Sequence, residues 1–176
     1  MSAKNFNSEL FIIAQDWASE DYLNRLRNKS TSKILEVLKK GRDENLATNK
    51  NLDSILSKFD IRFSETYATN LFPFIKPEGM SSKIPWNDFK LAGKKFLLPQ
   101  IDIIEPKLIV CLGQNVYNFF LELNGLKPSK FSKDILDLTY YRNIPIKAVY
   151  HTGSLGSKNA KGKSLSYWEL ALRFLK

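Results

Sequence analysis

Short runs of consecutive apolar residues, separated by segments with helical periodicity, constrain the fold of this chain more than any other feature. Residues 10–14 (Leu-Phe-Ile-Ile-Ala) and 107–112 (Lys-Leu-Ile-Val-Cys-Leu) have the nearly unbroken apolar character of strands buried on both faces. Two further candidates are residues 66–69, which are rich in β-forming side chains, and residues 144–150, where Pro145 suits a strand start or an edge. The sequence therefore predicts four strands.

Helical periodicity fills the intervals between these runs. Apolar residues recur every three or four positions in four segments, at residues 52–59, 86–101, 116–123 and 165–175. Pro99 indicates a kink in the second segment. Strands that alternate with helices pair in parallel through right-handed crossovers. We therefore expect residues 1–176 to form a single domain of the α/β class, a three-layer α/β/α sandwich with a central, mainly parallel four-stranded sheet.

Two segments give weaker signals. Residues 22–47 contain a helical-looking piece at 34–40 among many polar residues, and we expect a mobile insertion there. Residues 153–162 are rich in Gly, Ser and Lys, which is typical of a flexible loop.

Composition excludes several classes of protein. The 176 residues carry a formal net charge of +9, which favours a polyanionic partner such as nucleic acid, although basic proteins without that role are common. The one cysteine, Cys111, cannot form an internal disulfide, and one Cys with one His cannot build a Cys-rich zinc site or an iron–sulfur cluster within the chain. We expect a protein that needs no metal and no cofactor.

Localisation is inferred from the lack of two signals. No apolar stretch approaches the roughly 20 residues that a membrane span needs. The first nine residues lack the apolar core of a signal peptide. We expect a cytoplasmic monomer with no membrane partner.

Polar residues follow three of the predicted strands. Gln15 and Asp16 follow the first, Asn70 follows the second and His151 follows the last. Each has an ordinary explanation, because Asp and Asn commonly cap helices or form turns, and a lone His is more often structural or exposed than catalytic. Ligands of open α/β sheets nevertheless gather at the carboxyl ends of parallel strands. These residues indicate a site whose chemistry composition and spacing leave unnamed.

Four motifs, in the correct order along the chain, resemble the uracil-DNA glycosylase superfamily. Residues 12–18 (Ile-Ile-Ala-Gln-Asp-Trp-Ala) are similar to its first motif, and residues 67–74 (Tyr-Ala-Thr-Asn-Leu-Phe-Pro-Phe) to the strand ending in a uracil-reading Asn. Residues 99–113 resemble a helix–Pro–strand–Leu-Gly segment of the iron–sulfur branch, and residues 151–155 (His-Thr-Gly-Ser-Leu) stand where the superfamily has His-Pro-Ser-Pro-Leu. Because the cluster-binding cysteines are absent, the resemblance indicates a divergent branch.

The resemblance implies a role for each matching residue. Asp16 would stabilise the cationic sugar and orient the attacking water, and a neutral His151 would donate a hydrogen bond to the departing uracil anion. Gln15, Trp17 and Asn70 would bind the base. The Asn70 amide would accept from uracil N3–H and donate to O4, a pattern that cytosine cannot satisfy.

The resemblance also implies contacts to DNA. Leu155 would enter the base stack in place of the flipped nucleotide. Ser154 and the basic residues Lys158, Lys161 and Lys163 would contact phosphates, which positions DNA without reading its sequence. A loop residue folded onto the domain and a solvated charge run are the ordinary alternatives.

The first motif departs from the superfamily pattern. Ala14 replaces Gly, and Trp17 with Ala18 replaces Pro-Tyr or Pro-Gly. Ala18 falls where one branch uses Tyr to exclude the thymine methyl group, so thymine rejection is left open. The aromatic residue that stacks on the base has no clear counterpart, and Tyr22 is a guess for that role.

Three functions compete at this point. The first is a DNA glycosylase that excises uracil, or a related deaminated base, by hydrolysing its N-glycosidic bond. The second is a catalytically weak uracil-DNA-binding or sensing protein with the same fold. The third is a nucleotide-binding α/β protein whose positive charge is incidental.

Overall fold

Four parallel strands form the centre of a six-stranded sheet. The computed structural model describes residues 3–79, 81–129 and 138–175. The strands are β1 (Ala3–Lys4), β2 (Leu10–Ser19), β3 (Tyr67–Lys76), β4 (Leu108–Leu112), β5 (Thr139–Tyr141) and β6 (Ile144–Val149). Their order across the sheet is β1-β3-β2-β4-β6-β5. The central four pair in parallel, and β1 and β5 pair antiparallel at the two edges.

Helices cover both faces of this sheet. They are α1 (Glu20–Arg27), α2 (Thr31–Lys40), α3 (Ala47–Ser57), α4 (Trp86–Ala92), α5 (Leu98–Ile104), α6 (Gln114–Leu123), α7 (Ser154–Asn159) and α8 (Ser164–Leu172), with a π turn at Gly93–Leu97 between α4 and α5. On one face, α3 and α8 pack Leu52, Leu56 and Trp168 against the sheet. On the other face, α4 to α6 pack a second core that includes Phe89 and Phe119. The predicted three-layer α/β class is confirmed.

The sheet has two strands more than the predicted four, because the strands at its two edges are too short to be recognised in the sequence. Strands β1 and β5 have two and three residues. Such short segments carry no readable alternation of apolar and polar side chains. The segment predicted to kink at Pro99 is interrupted by the π turn, and Pro99 lies in the first turn of α5.

Strands β2 and β3 continue beyond their predicted ends, so Gln15, Asp16 and Asn70 lie inside strands rather than after them. Pairing of β2 with β4 stops at Ile13 and Cys111. Pairing of β2 with β3 continues to Ser19 and Lys76, across an irregularity between Asp16 and Ala18. These outer halves are not buried on both faces, and their mixed composition therefore does not resemble the apolar runs that predicted the strands.

Two segments with weak signals contain helices. In the segment 22–47, the helical-looking piece at 34–40 lies within α2, whereas α1, which begins at Glu20, was not predicted. Their N-termini are capped, since the Ser19 hydroxyl accepts from the Tyr22 N–H at 3.4 Å and the Ser30 hydroxyl from the Lys33 N–H at 3.4 Å. The expected loop at 153–162 contains α7. Scattered polar residues concealed these short helices because they lack a long apolar stripe.

Gly93 lets the π turn approach α6 closely. A Cβ atom added at Gly93 would lie 2.4 Å from the ring of Phe119, which is almost completely buried. We expect Gly93→Ala to lower the free energy of unfolding by about 1–3 kcal/mol through overpacking. Urea unfolding measures the loss, and Lys94→Ala, at an exposed position of the same turn, is the matched control. Equal unfolding midpoints for G93A and K94A would contradict this packing.

Candidate functional site

A cavity of about 930 Å³ opens where the strand order reverses, beside the carboxyl ends of β2 and β4. Because β2 continues past the last β4 pair, its outer residues form one side of this cavity. Three groups of residues line it: Ala14, Gln15, Asp16 and Trp17 from β2; Leu112, Gly113, Gln114, Asn115, Tyr150 and His151 after β4 and β6; and Tyr22, Val37, Arg42, Asp43, Leu46, Thr48, Asn49, Gly156 and Asn159 from the helical segments.

Asp16 is held by two donors that meet on one carboxylate oxygen. The Lys76 Nζ lies 3.3 Å from Asp16 Oδ2, and the Gln15 Nε2 donates to the same oxygen at 3.0 Å. The side chains of Lys76 and Asp16 are 2% and 9% exposed, so water screens their ion pair weakly. Gln15 is itself fixed, because the Asn115 Nδ2 donates to its Oε1 at 2.8 Å. The carboxylate therefore has a defined orientation at the cavity wall.

His151 is arranged to be a neutral hydrogen-bond donor. Its Nδ1 accepts from the Gly153 N–H at 3.0 Å, so the proton of the neutral ring belongs on Nε2. Burial lowers the pKa of His151 below its ordinary value of 6.5, and the negative charge of Asp16 opposes that shift. The ring is therefore uncharged at neutral pH and carries one N–H that can be offered to a ligand.

Helix α3 and Gly156 fix the chain around His151. The Asn51 Nδ2 donates to the Thr152 carbonyl at 2.8 Å, and the Thr152 hydroxyl donates to the Thr48 carbonyl at 2.9 Å. Gly156 of α7 lies so close that an added Cβ would be 1.8 Å from the His151 carbonyl oxygen. Glycine at 156 is thus a packing requirement of the site.

The remaining wall comes from the segment expected to be an insertion. The Tyr22 hydroxyl donates to Asp43 Oδ2 at 3.3 Å, and burial together with the Asp43 charge raises the pKa of Tyr22 to about 12. Arg42 makes a bidentate pair with Asp53 of α3, both bonds at 3.0 Å, and its guanidinium lies 3.8 Å from the Phe63 ring centroid. These contacts attach the wall to α3.

Sequence reasoning named Tyr22 only as a guess, missed Arg42 and Asp43, and did not connect Lys76 with Asp16. Arg42 and Asp43 lie in a polar stretch of the sequence, where nothing indicates that their side chains are buried. No motif joins Lys76 to Asp16, because the two residues are 60 positions apart.

The structure brings most, but not all, of the predicted site residues together. Gln15, Asp16, Trp17 and His151 line the same cavity. Asn70 does not line it: this residue is 5% exposed and lies in β3, paired with Ala14 of the cavity wall.

The predicted DNA-contacting residues lie on or after α7, the helix that contributes Gly156 and Asn159 to the cavity. Ser154, Lys158, Lys161 and Lys163 are exposed. The side chain of Leu155 lies outside the described part of the chain. Ser154 and Lys158 are therefore on the helix that lines the cavity, and α7 is a helix rather than the flexible stretch expected.

The described residues contain neither a candidate metal site nor a helix that could span a membrane. Within 3–79, 81–129 and 138–175, no group of three or more His, Cys, Asp or Glu side chains could hold a metal ion. None of the helices in those ranges combines the length and apolar character that crossing a membrane requires. Cys111 is fully buried, and burial raises the pKa of its thiol well above the usual value.

The close approach of Gly156 predicts the effect of a single methyl group. We expect Gly156→Ala to push α7 away from the His151 carbonyl and to lower the free energy of unfolding by about 1–3 kcal/mol or more. Ser157→Ala, at the next and exposed position of α7, is the control. Thermal unfolding of the two variants compares them, and a G156A protein as stable as S157A would show that α7 does not rest on His151.

Because His151 is the only histidine, its ring can be followed directly in the untagged protein. We expect its proton NMR signal to titrate below pH 6.5, the ordinary value, because burial lowers the pKa of His151. Asp16→Asn removes the opposing charge and moves the midpoint lower still. A midpoint above 6.5, or one that rises in D16N, would contradict the described environment. Trp17→Phe retains the Asp16 charge and is the control.

We expect the stability of the folded protein to depend on pH for the same reason. A histidine whose pKa is lower in the folded state than in the unfolded state binds fewer protons when folded, so stability falls as the pH drops below about 6.5.

A comparison with protein families matches the chain to one of them. The family model described as Uracil DNA glycosylase superfamily matches residues 19–176, a range that contains Asn70 and His151 and begins just after the first motif. No curated protein matches the chain by sequence. The family match covers most of the chain, and the parallel sheet with its rim cavity agrees with it. The chain belongs to the uracil DNA glycosylase superfamily.

Proposed function

We propose that the protein is a DNA glycosylase that excises uracil, or a related deaminated base, by hydrolysing its N-glycosidic bond. Membership of the superfamily supports glycosylase activity on DNA. The observation that carries the finer proposal is that Asp16 and His151 line one cavity, the first as a carboxylate in a fixed orientation and the second with its proton on Nε2.

The cavity suits a base that has left the helix. A target inside duplex DNA cannot be reached, so the nucleotide must be flipped out at a cost of a few kcal/mol. At about 930 Å³, the cavity has room for one base with part of its sugar. Trp17 and Tyr22 supply aromatic surface there, and either ring could lie against the flipped base.

The proposed reaction separates charge, and the two residues meet opposite ends of it. As the bond between the sugar C1′ and the base nitrogen breaks, its electron pair leaves with the base and the sugar becomes cationic. The Asp16 carboxylate stabilises the cation and orients the water that attacks C1′. The His151 Nε2–H donates to the base carbonyl oxygen on which negative charge develops, and a preorganised donor of this kind contributes about 3 kcal/mol.

Base selection is proposed to involve Gln15, Trp17 and Asn70. The Gln15 amide already contacts Asp16 and Asn115 through its nitrogen and oxygen. Asn70 is buried beside Ala14, one strand away from the first motif. For Asn70 to read N3–H and O4, the base must therefore penetrate to the floor of the cavity at Ala14.

DNA contacts are proposed for the surface beside the cavity. Exposed Lys158, Lys161 and Lys163 follow one another along α7 and the turn after it, and Ser154 begins that helix. Cations at these positions would hold phosphates next to the cavity mouth and release counterions. Leu155 is proposed to fill the gap left by the flipped nucleotide.

The burial of Asn70 favours a second candidate, a uracil-DNA-binding protein with weak catalysis. A site whose base reader lies outside the cavity lining would select and position its substrate less well. Binding and excision must therefore be measured separately.

One assay tests the proposal. The protein is incubated in EDTA with single- and double-stranded oligonucleotides that carry one uracil, and alkali then cleaves any abasic site. We expect strand scission by the wild type, almost none by Asp16→Asn, and a single-turnover rate about a hundredfold lower for His151→Ala. Ser157→Ala is the control, since its side chain is exposed and has no proposed role.

The remaining outcomes distinguish the alternatives. Tight, uracil-dependent binding without scission would favour the sensing protein. Neither scission nor salt-dependent DNA binding would reject both and leave a nucleotide-binding protein. Oligonucleotides with thymine or hypoxanthine then define the range of bases.

A further inference from the structure

The buried cation Lys76 lies directly behind Asp16. Its Nζ is 3.3 Å from Asp16 Oδ2, and the two side chains are 2% and 9% exposed. Asp16 is among the residues that line the cavity and Lys76 is not, so Lys76 contacts the cavity lining through Asp16. Burying an ion pair this deeply carries a considerable desolvation penalty, so the presence of the pair needs an explanation.

We propose that Lys76 is a positioning residue that, together with Gln15, fixes the Asp16 carboxylate for attack at the sugar. This inference rests on the proposed function for its role in the reaction, and on the structure alone for its effect on Asp16. Both donors meet Oδ2, one from the end of β3 and one from the neighbouring residue of β2. With Oδ2 occupied in this way, Oδ1 is the oxygen assigned to water and sugar.

The shape of the sheet explains how the pair forms. Lys76 is the last residue of β3 and pairs with Ser19, three residues beyond Asp16. The irregularity between Asp16 and Ala18 changes the register there. Bulges of this kind redirect side chains and are frequent beside active sites. The outer halves of β2 and β3 thus place the Lys76 ammonium next to Asp16 Oδ2.

The charged groups around Asp16 are few enough to separate experimentally. Lys76 approaches from β3, and His151 approaches from the chain after β6, with a pKa that responds to the Asp16 charge. Gln15 and Asn115 are neutral. The charged groups on the opposite cavity wall are Arg42 and Asp43, with the ionisable Tyr22.

The decisive measurement follows the Asp16 carboxyl itself. In protein labelled with carboxyl-¹³C aspartate, the Asp16 signal is assigned by its loss in Asp16→Asn. We expect the chemical shift of this signal at pH 7 to change in Lys76→Met, because the contact between Lys76 Nζ and Asp16 Oδ2 is lost. Lys76→Arg, which restores the charge, should leave the signal closer to the wild-type position than K76M does.

Excision kinetics supply the second readout. In K76M the single-turnover rate should fall about a hundredfold, because the carboxylate loses its fixed orientation. Substrate binding should change little. Lys90→Gln, which breaks a half-exposed ion pair with Glu122 away from the cavity, is the control and should leave both readouts unchanged.

Stability keeps the test informative if K76M folds poorly. The double variant D16N/K76M contains neither charge, so it should recover part of the unfolding midpoint lost in K76M. Strictly additive losses would overturn the inference, because Lys76 would then not act through Asp16. So would a folded K76M whose Asp16 signal keeps the wild-type chemical shift. If the wild type excises no base and the Asp16 signal still moves in K76M, the proposed function fails and the effect on Asp16 stands.

Discussion

Backbone pairing ties β2 to β3 along its outer half but to β4 only as far as Ile13 and Cys111. The positions of Gln15, Asp16 and Lys76 depend on this constraint. The strand order also reverses at β2, where open α/β sheets typically have a crevice. Polar side chains of the first motif occupy one side of the crevice, and the chain after β6 brings His151 to the other.

Much of this arrangement could be predicted from the sequence because buried parallel strands have a distinctive composition. The runs at 10–14 and 107–112 identify β2 and β4, and the position of His151 after β6 needs only the end of a third strand. Convergence of Asp16 and His151 then follows from topology, since carboxyl ends of parallel strands share one edge. The four central strands and the α/β class could be predicted from the sequence for the same reason.

Other parts of the site depend on contacts that leave no local pattern. The Arg42–Asp53 pair buries a cation in a polar stretch, and the Lys76–Asp16 pair joins two strands. Both depend on register and burial, which a single sequence does not display. Asn70 shows the converse difficulty: its motif is readable in the sequence, yet the residue is buried in β3 beside Ala14 and is not among the lining residues.

Helix α3 is bonded to two parts of the cavity lining. Asp53 holds Arg42, while Asn51 and the Thr48 carbonyl hold Thr152 next to His151. A displacement of this helix would therefore move Arg42 and the chain around His151 together. Any motion that separated these two parts would have to break side-chain hydrogen bonds to α3.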